Sequence, residues 1–195
     1  MQQRSEETRS RILQTARRLF AQTGYDASGV AEICAAAGVS KGAFYFHFQS
    51  KQTLFLSLLE EWLSTLDSQL TPLLHAAGSV PQSLVQAAGV TGMVFESAAS
   101  QLPMFLEFWR AAIHDPAVWH ATIGPFRRYQ ELFAGVVRQG IAEGSLHPID
   151  PEIAARVIMA TAIGLILQGV IDPQGADWGD VTQKGIQMLM EGLSQ

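Results

Sequence analysis

Apolar residues recur at helical spacing along most of this 195-residue chain. In the first such run, Ile12, Leu13, Ala16, Leu19 and Phe20 fall at positions i, i+1, i+4, i+7 and i+8, which places them on one face of a helix. The chain shows neither the alternation of apolar and polar residues that marks half-buried strands nor a hairpin dipeptide such as Asn-Gly. The spacing therefore predicts an all-α fold of about nine helices.

Capping residues and helix breakers predict where these helices begin and end. Gly24 and Gly38 supply stops for the first two helices, because glycine readily adopts the left-handed conformation that ends a helix. Side-chain caps are predicted at the start of several later helices, at Ser28, Ser40, Ser50, Asp115 and Asp150. Gly124-Pro125 predicts one further break in the C-terminal half.

The composition is that of a folded globular protein, with 48% hydrophobic and 16% charged residues. The most apolar stretch, residues 157–167, is shorter than the roughly 20 residues a membrane span needs, so a buried helix is predicted there. The first twenty residues carry five arginines and no long apolar run, which argues against a signal peptide. With a single cysteine, Cys34, no internal disulfide can form, and a cytoplasmic location is expected.

Charge is distributed unevenly along the chain. Residues 1–51 contain seven Lys or Arg against four Asp or Glu, whereas the remaining residues contain six against fourteen, for an overall net charge of −5. A basic segment joined to an acidic body indicates a polyanionic partner for the N-terminal part. Chance solvation of surface helices is the alternative explanation of this charge pattern.

Two helices joined at a glycine turn suggest a helix-turn-helix, whose second helix enters the major groove of DNA. In the segment SKGAFYFHFQSK (residues 40–51), Phe44 and Phe48 share one helix face, and Lys41 and Tyr45 share another. The phenylalanines are therefore predicted to anchor the helix, while Lys41 and Tyr45 point outwards. The spacing leaves Phe46 without a predicted role.

The same segment supplies the donors that DNA binding requires. Hydroxyl, imidazole and ammonium groups of Ser28, Tyr45, His47 and Lys51 can donate to phosphate oxygens. Ala43 can place its methyl group against a thymine methyl. Lys51 also begins a helix, whose N-terminal amides favour an anion.

Residues 8–54 resemble the DNA-binding domain of the TetR/AcrR family of bacterial transcriptional regulators. The matching residues are Thr8-Arg9, Ile12-Leu13, Ala16, Leu19-Phe20, Gly24-Tyr25, Ala37-Gly38-Val39-Ser40, Gly42, Tyr45, His47-Phe48 and Ser50-Lys51. The resemblance implies a DNA-binding domain over residues 1–50 and a helical effector-binding and dimerisation domain over 51–195. The predicted DNA contacts are Ser28, Ser40, Lys41, Gly42, Ala43, Tyr45, His47 and Lys51.

The segment departs from the family pattern at three positions, where Ser28 and Ala43 replace common threonines and Ala31 replaces a polar or basic residue. Few side chains then remain to read bases. Binding is expected to depend mainly on phosphates and on DNA shape.

A palindromic operator read by two recognition helices requires a homodimer. The helix over 153–171 is apolar nearly all round and rich in small residues, so it needs cover from its own subunit and from a partner. The predicted interface residues, on the last two helices, are Val157, Ala160, Gly164, Leu167, Ile186 and Met190. Burial of the 153–171 helix inside a monomer core is the alternative.

The resemblance implies an effector pocket in the aromatic-rich middle of the chain, and pockets are mostly apolar with a few polar groups. Its predicted lining is Met93, Glu96, Phe105, Phe108, Trp109, Trp119, Phe126 and Tyr129, although plain core packing competes for each aromatic residue. Further polar candidates are Glu107, Arg110, His114, Gln130 and Gln168.

Together these features predict a ligand-responsive regulator, most simply a repressor released from its operator by a small hydrophobic effector. No metal site, cofactor or enzymatic activity is expected, since the chain carries no phosphate loop, GxSxG or HExxH motif. Two alternatives remain, a DNA-binding regulator without small-molecule control and a helical-bundle enzyme.

Overall fold

The computed structural model describes residues 2–76, 78–90 and 98–194, with side chains for 4–76, 78–90 and 106–194. Within these ranges the fold is all-α, as predicted, and the one isolated bridge joins Leu146 and Ser194. The nine described helices are α1 (Gln2–Thr23), α2 (Val30–Ala37), α3 (Lys41–His47), α4 (Lys51–Leu74), α5 (Val80–Ala88), α6 (Ala98–His114), α7 (Pro116–Ala142), α8 (Pro151–Ile171) and α9 (Trp178–Leu193).

The chain divides into two compact units. The first comprises Met1–Ser64 and Ala99–Thr122, and the second comprises Thr65–Ala98 and Ile123–Gln195. Residues of α4 and α7 belong to both units, and most of α6 packs with the N-terminal helices. These units are defined by packing. The predicted boundary at residue 50 divides the chain by function, into DNA-binding and effector-binding parts, and it stays a prediction.

The core of the first unit joins the helix-turn-helix to α1, α4 and α6. Its largest fully or nearly fully buried side chains are Ile12, Phe20, Ile33, Phe44, Phe48, Leu54, Phe55 and Phe108. The Phe55 and Phe108 rings lie 4.7 Å apart between centroids, within the range of favourable aromatic pairs. The unit that presents the recognition helix is thus held together by buried residues from Ile12 to Val118.

In the second unit, α9 packs against α5 and α8. Ile186 and Met190 of α9 are buried, together with Leu84 of α5 and Ile158 of α8. These apolar side chains account for the inner faces of the three helices.

Most of the predicted helix ends are confirmed. Gly24 and Gly38 have φ values of +85° and +63°, which places both in the left-handed region. Caps form in which each side-chain oxygen accepts from one or more backbone N–H groups, at Ser40, Ser50, Asp115 and Asp150.

The predicted break at Gly124-Pro125 is wrong, because α7 runs without interruption from Pro116 to Ala142 with Pro125 inside it. Proline removes one helical hydrogen bond, but packing of the residues around it can outweigh that local cost. The compact units change over at residues 122 and 123, immediately before this dipeptide.

Helix α8 is the one described helix that is long and apolar enough to cross a membrane by length and composition. Only 28% of its most apolar window is buried. The prediction of a buried helix at residues 157–167 is therefore only partly met within the monomer, since Val157 and Leu167 are exposed.

Candidate DNA-binding surface

The recognition helix α3 is fixed at both ends by local contacts. Before it, the left-handed Gly38 makes the turn, and the Gly38 and Val39 N–H groups donate to carbonyls at the end of α2. At its start, Ser40 Oγ accepts from the Ala43 N–H at 3.1 Å. A helix of seven residues is unstable alone, so these caps and tertiary packing must hold it in place.

Packing comes from the two phenylalanines that the spacing assigned to the inner face. Phe44 is fully buried and Phe48 nearly so, with their ring centroids 6.0 Å apart. Arg9 of α1 lies over the Phe48 ring at 5.3 Å, which is cation–π distance. The predicted anchoring role of both residues is confirmed.

The outer face of α3 carries most of the predicted DNA contacts. Ser40, Lys41 and Gly42 are exposed, and Tyr45 is 52% exposed. Ala43 and His47 are half-buried. The face thus combines one ammonium and two hydroxyl groups with a stretch at Gly42 that has no side chain.

Phe46 adds an apolar group that sequence spacing did not explain. Its side chain is 76% exposed, and its ring meets the edge of His47 at 5.0 Å. An aromatic ring exposed to this extent on a recognition helix is available for apolar contact with bases. The sequence signal for it was the absence of any inward-facing partner at helical spacing.

Ser28 does not belong to this surface, and its predicted role is corrected. The residue is fully buried, its hydroxyl donates to the Gly24 carbonyl at 2.9 Å, and it lies 2.7 Å from the Thr23 hydroxyl. Helix α2 is capped instead by Gly29, without a side-chain hydrogen bond. Since a buried hydroxyl cannot reach a phosphate, Ser28 stabilises the turn between α1 and α2.

Lys51 lies at the start of α4 and is half-buried. Its ammonium donates to the carbonyls of Tyr25 at 2.8 Å and Asp26 at 3.4 Å, and it lies 4.3 Å from the Tyr25 ring centroid. The side chain is therefore held against the turn that precedes α2. Its contact with DNA stays a prediction.

Two residues of α6 also reach this turn, a position that the sequence did not indicate. The Glu107 carboxylate accepts from the Tyr25 N–H at 2.8 Å, and Arg110 lies 2.9 Å from the Asp26 carboxylate. Both residues were polar candidates for the effector pocket. Hydrogen bonds to Glu107 and then to Asp26 raise the pKa of Arg110, so its charge is secure.

The predicted effector residues do not form one cluster within either unit. Met93, Glu96 and the Phe105 side chain lie outside the described residues. In the first unit, Phe108 is part of the core, whereas Trp109 and Trp119 are partly exposed. In the second unit, Phe126 is half-buried and Tyr129 is buried. The set as an effector site stays a prediction.

Tyr129 belongs to a polar cluster inside the second unit. Its phenol donates to one carboxylate oxygen of Asp67 at 2.6 Å, and Arg128 contacts the other oxygen at the same distance. Burial, followed by the Asp67 hydrogen bond, raises the pKa of Tyr129 well above its usual value. The phenol therefore stays protonated near neutral pH and can serve as a donor.

The predicted interface residues separate into two groups. Val157, Ala160, Gly164 and Leu167 follow the spacing of a helical seam on α8, and three of them are exposed with Gly164 partly covered. Ile186 and Met190 are instead buried within their own subunit, so the prediction that they meet a partner is corrected. On α9 the exposed apolar side chain is Met188.

Two family models match the chain. One, described as bacterial regulatory proteins of the tetR family, matches residues 12–58, and the other, described as the C-terminal part of BetI-type transcriptional repressors, matches residues 94–184. The first match spans the whole of the helix-turn-helix described above. The chain belongs to the TetR family of bacterial transcriptional regulators.

Relatives of this TetR-family chain include a receptor protein and several transcriptional regulators. The A-factor receptor protein of Streptomyces griseus is 30% identical over 177 residues, a match that covers 90% of this chain and 60% of that protein. Three further curated relatives match over shorter stretches, which cover between 16% and 27% of their lengths. The chain therefore spans 60% of the A-factor receptor protein and less than a third of the other three relatives.

Solved structures confirm the TetR-type fold. A transcriptional regulator from Saccharomonospora viridis, solved in complex with choline, has a TM-score of 0.81 at 22% identity and covers 97% of this chain and 99% of its own. FadR from Bacillus subtilis, solved with stearoyl-CoA, has a TM-score of 0.83 at 19% identity and covers 94% and 98%. At these identities the likeness shows the fold alone.

Proposed function

We propose that this TetR-family regulator is a homodimeric repressor that binds a palindromic operator through α3 of each subunit and leaves it when a small hydrophobic effector binds. The observation that carries the DNA-binding part is the division of α3 into an anchored face and an open face. Phe44 and Phe48 are buried, while Lys41, Gly42 and Tyr45 are exposed. Such a helix can enter the major groove without loss of its own packing.

The side chains on the open face favour a grip on the DNA backbone. Lys41, Tyr45 and Ser40 present an ammonium and two hydroxyl groups, which are donors suited to phosphate oxygens. Gly42 and Ala43 offer no hydrogen-bonding side chain to a base edge. Specificity is therefore proposed to come from DNA shape and from apolar contact at Ala43 and Phe46.

Dimer formation is supported by the outer face of α8. Ile153, Val157, Leu167 and Ile171 are large apolar side chains that are all exposed in the monomer. They occur at alternating spacings of three and four residues with Ala160 and Gly164, which is the pattern of a two-helix seam. Contact with α8 of a second subunit would remove this surface from water.

The ligands of the structural neighbours do not select an effector. Choline and stearoyl-CoA, which name the complexes of two of them, differ widely in size and charge. The aromatic residues of α6 and α7 in this chain favour a flat or elongated hydrophobic molecule. Operation in the cytoplasm and the absence of enzymatic activity are part of the same proposal.

Footprinting of the purified protein on genomic DNA tests the proposal directly. Protected palindromic fragments are expected, and Lys41→Ala should weaken binding to all of them by a similar factor. Because each phosphate contact contributes about 0.9 to the slope of log affinity against log salt concentration, the slope should decrease by about that amount. No protected fragment, or an unchanged slope, would contradict the DNA-binding proposal.

The effector part is tested by native mass spectrometry of the purified protein and by titration. An effector that weakens operator affinity by a given factor must itself bind the DNA-free protein more tightly than the DNA complex by that factor. Equal affinity for the two forms would favour the alternative of a regulator without small-molecule control.

A further inference from the structure

The turn between α1 and α2 is tied to its flanking residues by a set of short contacts. Gly24 ends α1 in the left-handed region, and its N–H donates to the Phe20 carbonyl at 3.0 Å. Its own carbonyl accepts from Ser28 at 2.9 Å. Hydrogen bonds thereby fix both the start and the end of the turn that leads into the helix-turn-helix.

Tyr25, in the middle of this turn, is held on both sides by residues distant in sequence. Its N–H donates to Glu107 of α6, and its carbonyl accepts from Lys51 of α4, both at 2.8 Å. Its ring lies 4.4 Å from Phe55 and under the Lys51 ammonium at 4.3 Å. A single residue thus joins α6 to the lysine at the start of α4.

Arg110 closes the arrangement, which we call the turn clasp: Tyr25, Asp26, Lys51, Glu107 and Arg110. Its guanidinium donates to both oxygens of Glu107, at 3.3 and 3.1 Å, and meets Asp26 at 2.9 Å. Of the two α6 residues, Glu107 is the more buried, with 17% of its side chain exposed against 43% for Arg110. Partial burial makes its hydrogen bond to Tyr25 costly to lose.

Helix α6 lies in the C-terminal region by sequence, but packs with the N-terminal helices. By sequence it lies within residues 94–184, the range matched by the C-terminal part of a transcriptional repressor. By packing, its residues from 99 onwards belong to the unit that carries the recognition helix. A shift of α6 would therefore also disturb the contacts that α6 makes with Tyr25 and Asp26.

We propose that Glu107 is a positioning residue for DNA binding, which acts through Tyr25 to hold Lys51 where its ammonium can meet a phosphate. The inference rests on the proposed function, because it assumes that Lys51 contributes to operator affinity. The N–H and carbonyl of Tyr25 lie on either side of the same α-carbon, so loss of the Glu107 contact lets both peptide planes rotate. The Lys51 ammonium then loses its 2.8 Å carbonyl acceptor and is no longer held at one position beside the Tyr25 ring.

A double-mutant cycle on operator affinity tests this coupling, with the fragment recovered by footprinting as the probe. Glu107→Ala should weaken binding by about tenfold in the wild-type background. In a Lys51→Met background, where the positioned group is gone, the same substitution should weaken binding by less than about twofold. Glu107→Gln keeps an oxygen for the Tyr25 N–H and should restore most of the affinity.

Glu131→Ala is the matched control, since Glu131 also pairs with an arginine, Arg138, on the outside of the second unit. It should leave operator affinity unchanged. Hydrogen exchange of the peptide that contains residues 24–28 gives a second readout, which should accelerate in Glu107→Ala and remain slow in Glu107→Gln. Arg110→Gln should show the same direction of change if Glu107→Ala proves too unstable to purify.

Three outcomes would overturn the inference. Equal losses from Glu107→Ala in both backgrounds would show that Glu107 acts independently of Lys51. Unchanged exchange over residues 24–28 would show that the carboxylate does not hold the turn. If Lys51→Met alone binds operator as tightly as wild type, Lys51 has no role in DNA binding and the premise of the inference is wrong. This result differs from a failure of the Glu107 coupling, because the two single variants are measured separately.

Discussion

Tyr129 of α7 donates a 2.6 Å hydrogen bond to Asp67 of α4 inside the second unit. The phenol is buried, and Arg128 contacts the other carboxylate oxygen of Asp67. Tyr129→Phe keeps the ring and removes only the hydroxyl, so Asp67 loses one donor. We expect the free energy of unfolding to decrease by about 1 kcal/mol, measured by urea denaturation at neutral pH.

The same phenol makes stability sensitive to alkaline pH. Burial raises the pKa of Tyr129, so above the ordinary tyrosine value the unfolded chain loses a proton that the folded chain retains. Stability contributed by the neutral phenol is complete below a pH of about 10 and declines as the pH rises towards the folded pKa. As the pH rises above about 10, wild type should therefore lose more stability than Tyr129→Phe. An equal loss in both proteins would assign the pH effect to other groups, among them Tyr25, whose pKa is also raised, mainly by burial.

Local signals in the sequence proved the most reliable guide to the fold. Caps at Ser40, Ser50 and Asp150 depend on a side chain and the backbone two or three residues away, so they can be read without knowledge of the tertiary structure. The anchoring of α3 by Phe44 and Phe48 also follows from helical spacing alone. These features were predicted and are present.

Features that depend on distant residues could not be predicted in this way. Ser28 has the chemistry of a cap and of a phosphate donor, but burial directs its hydroxyl to Gly24. Pro125 reads as a break, yet α7 continues through it. The pairing of Glu107 with Tyr25 spans 82 positions, and no spacing rule connects them. Helical periodicity likewise cannot decide which apolar stripe of α9 faces inwards.

Phe46 and Phe44 provide a test that separates DNA contact from folding. Phe46→Ala removes an exposed ring and should leave the thermal unfolding midpoint unchanged, while operator affinity falls by about fivefold through lost apolar contact with bases. Phe44→Ala, two positions earlier, empties a fully buried site and should destabilise the protein by about 3–5 kcal/mol. Unchanged operator affinity in Phe46→Ala would show that this ring faces solvent in the complex.

Ser28→Ala should affect stability and not the electrostatics of DNA binding. Its buried hydroxyl donates to Gly24, and without it the carbonyl loses a partner in a covered position. We expect the free energy of unfolding to decrease by about 1–2 kcal/mol. The slope of log affinity against log salt concentration should stay at the wild-type value, in contrast to Lys41→Ala. A shallower slope in Ser28→Ala would indicate that Ser28 does contact a phosphate, contrary to what its burial implies.

Charge placed on the α8 seam should separate the subunits. Val157→Glu and Leu167→Glu each put a carboxylate on an apolar face that is exposed in the monomer, so folding should be retained while the buried charge disfavours the dimer. Sedimentation velocity should show a dimer for wild type and a monomer for both variants, and operator affinity should fall because a monomer contacts one half-site. Gln174→Glu, in the exposed segment after α8, is the matched control and should remain dimeric. Dimers in all four proteins would place the interface on another surface.

Flotation with lipid vesicles tests the other possible partner of this face. If wild type floats with the vesicles and Val157→Glu does not, the apolar face of α8 binds a membrane.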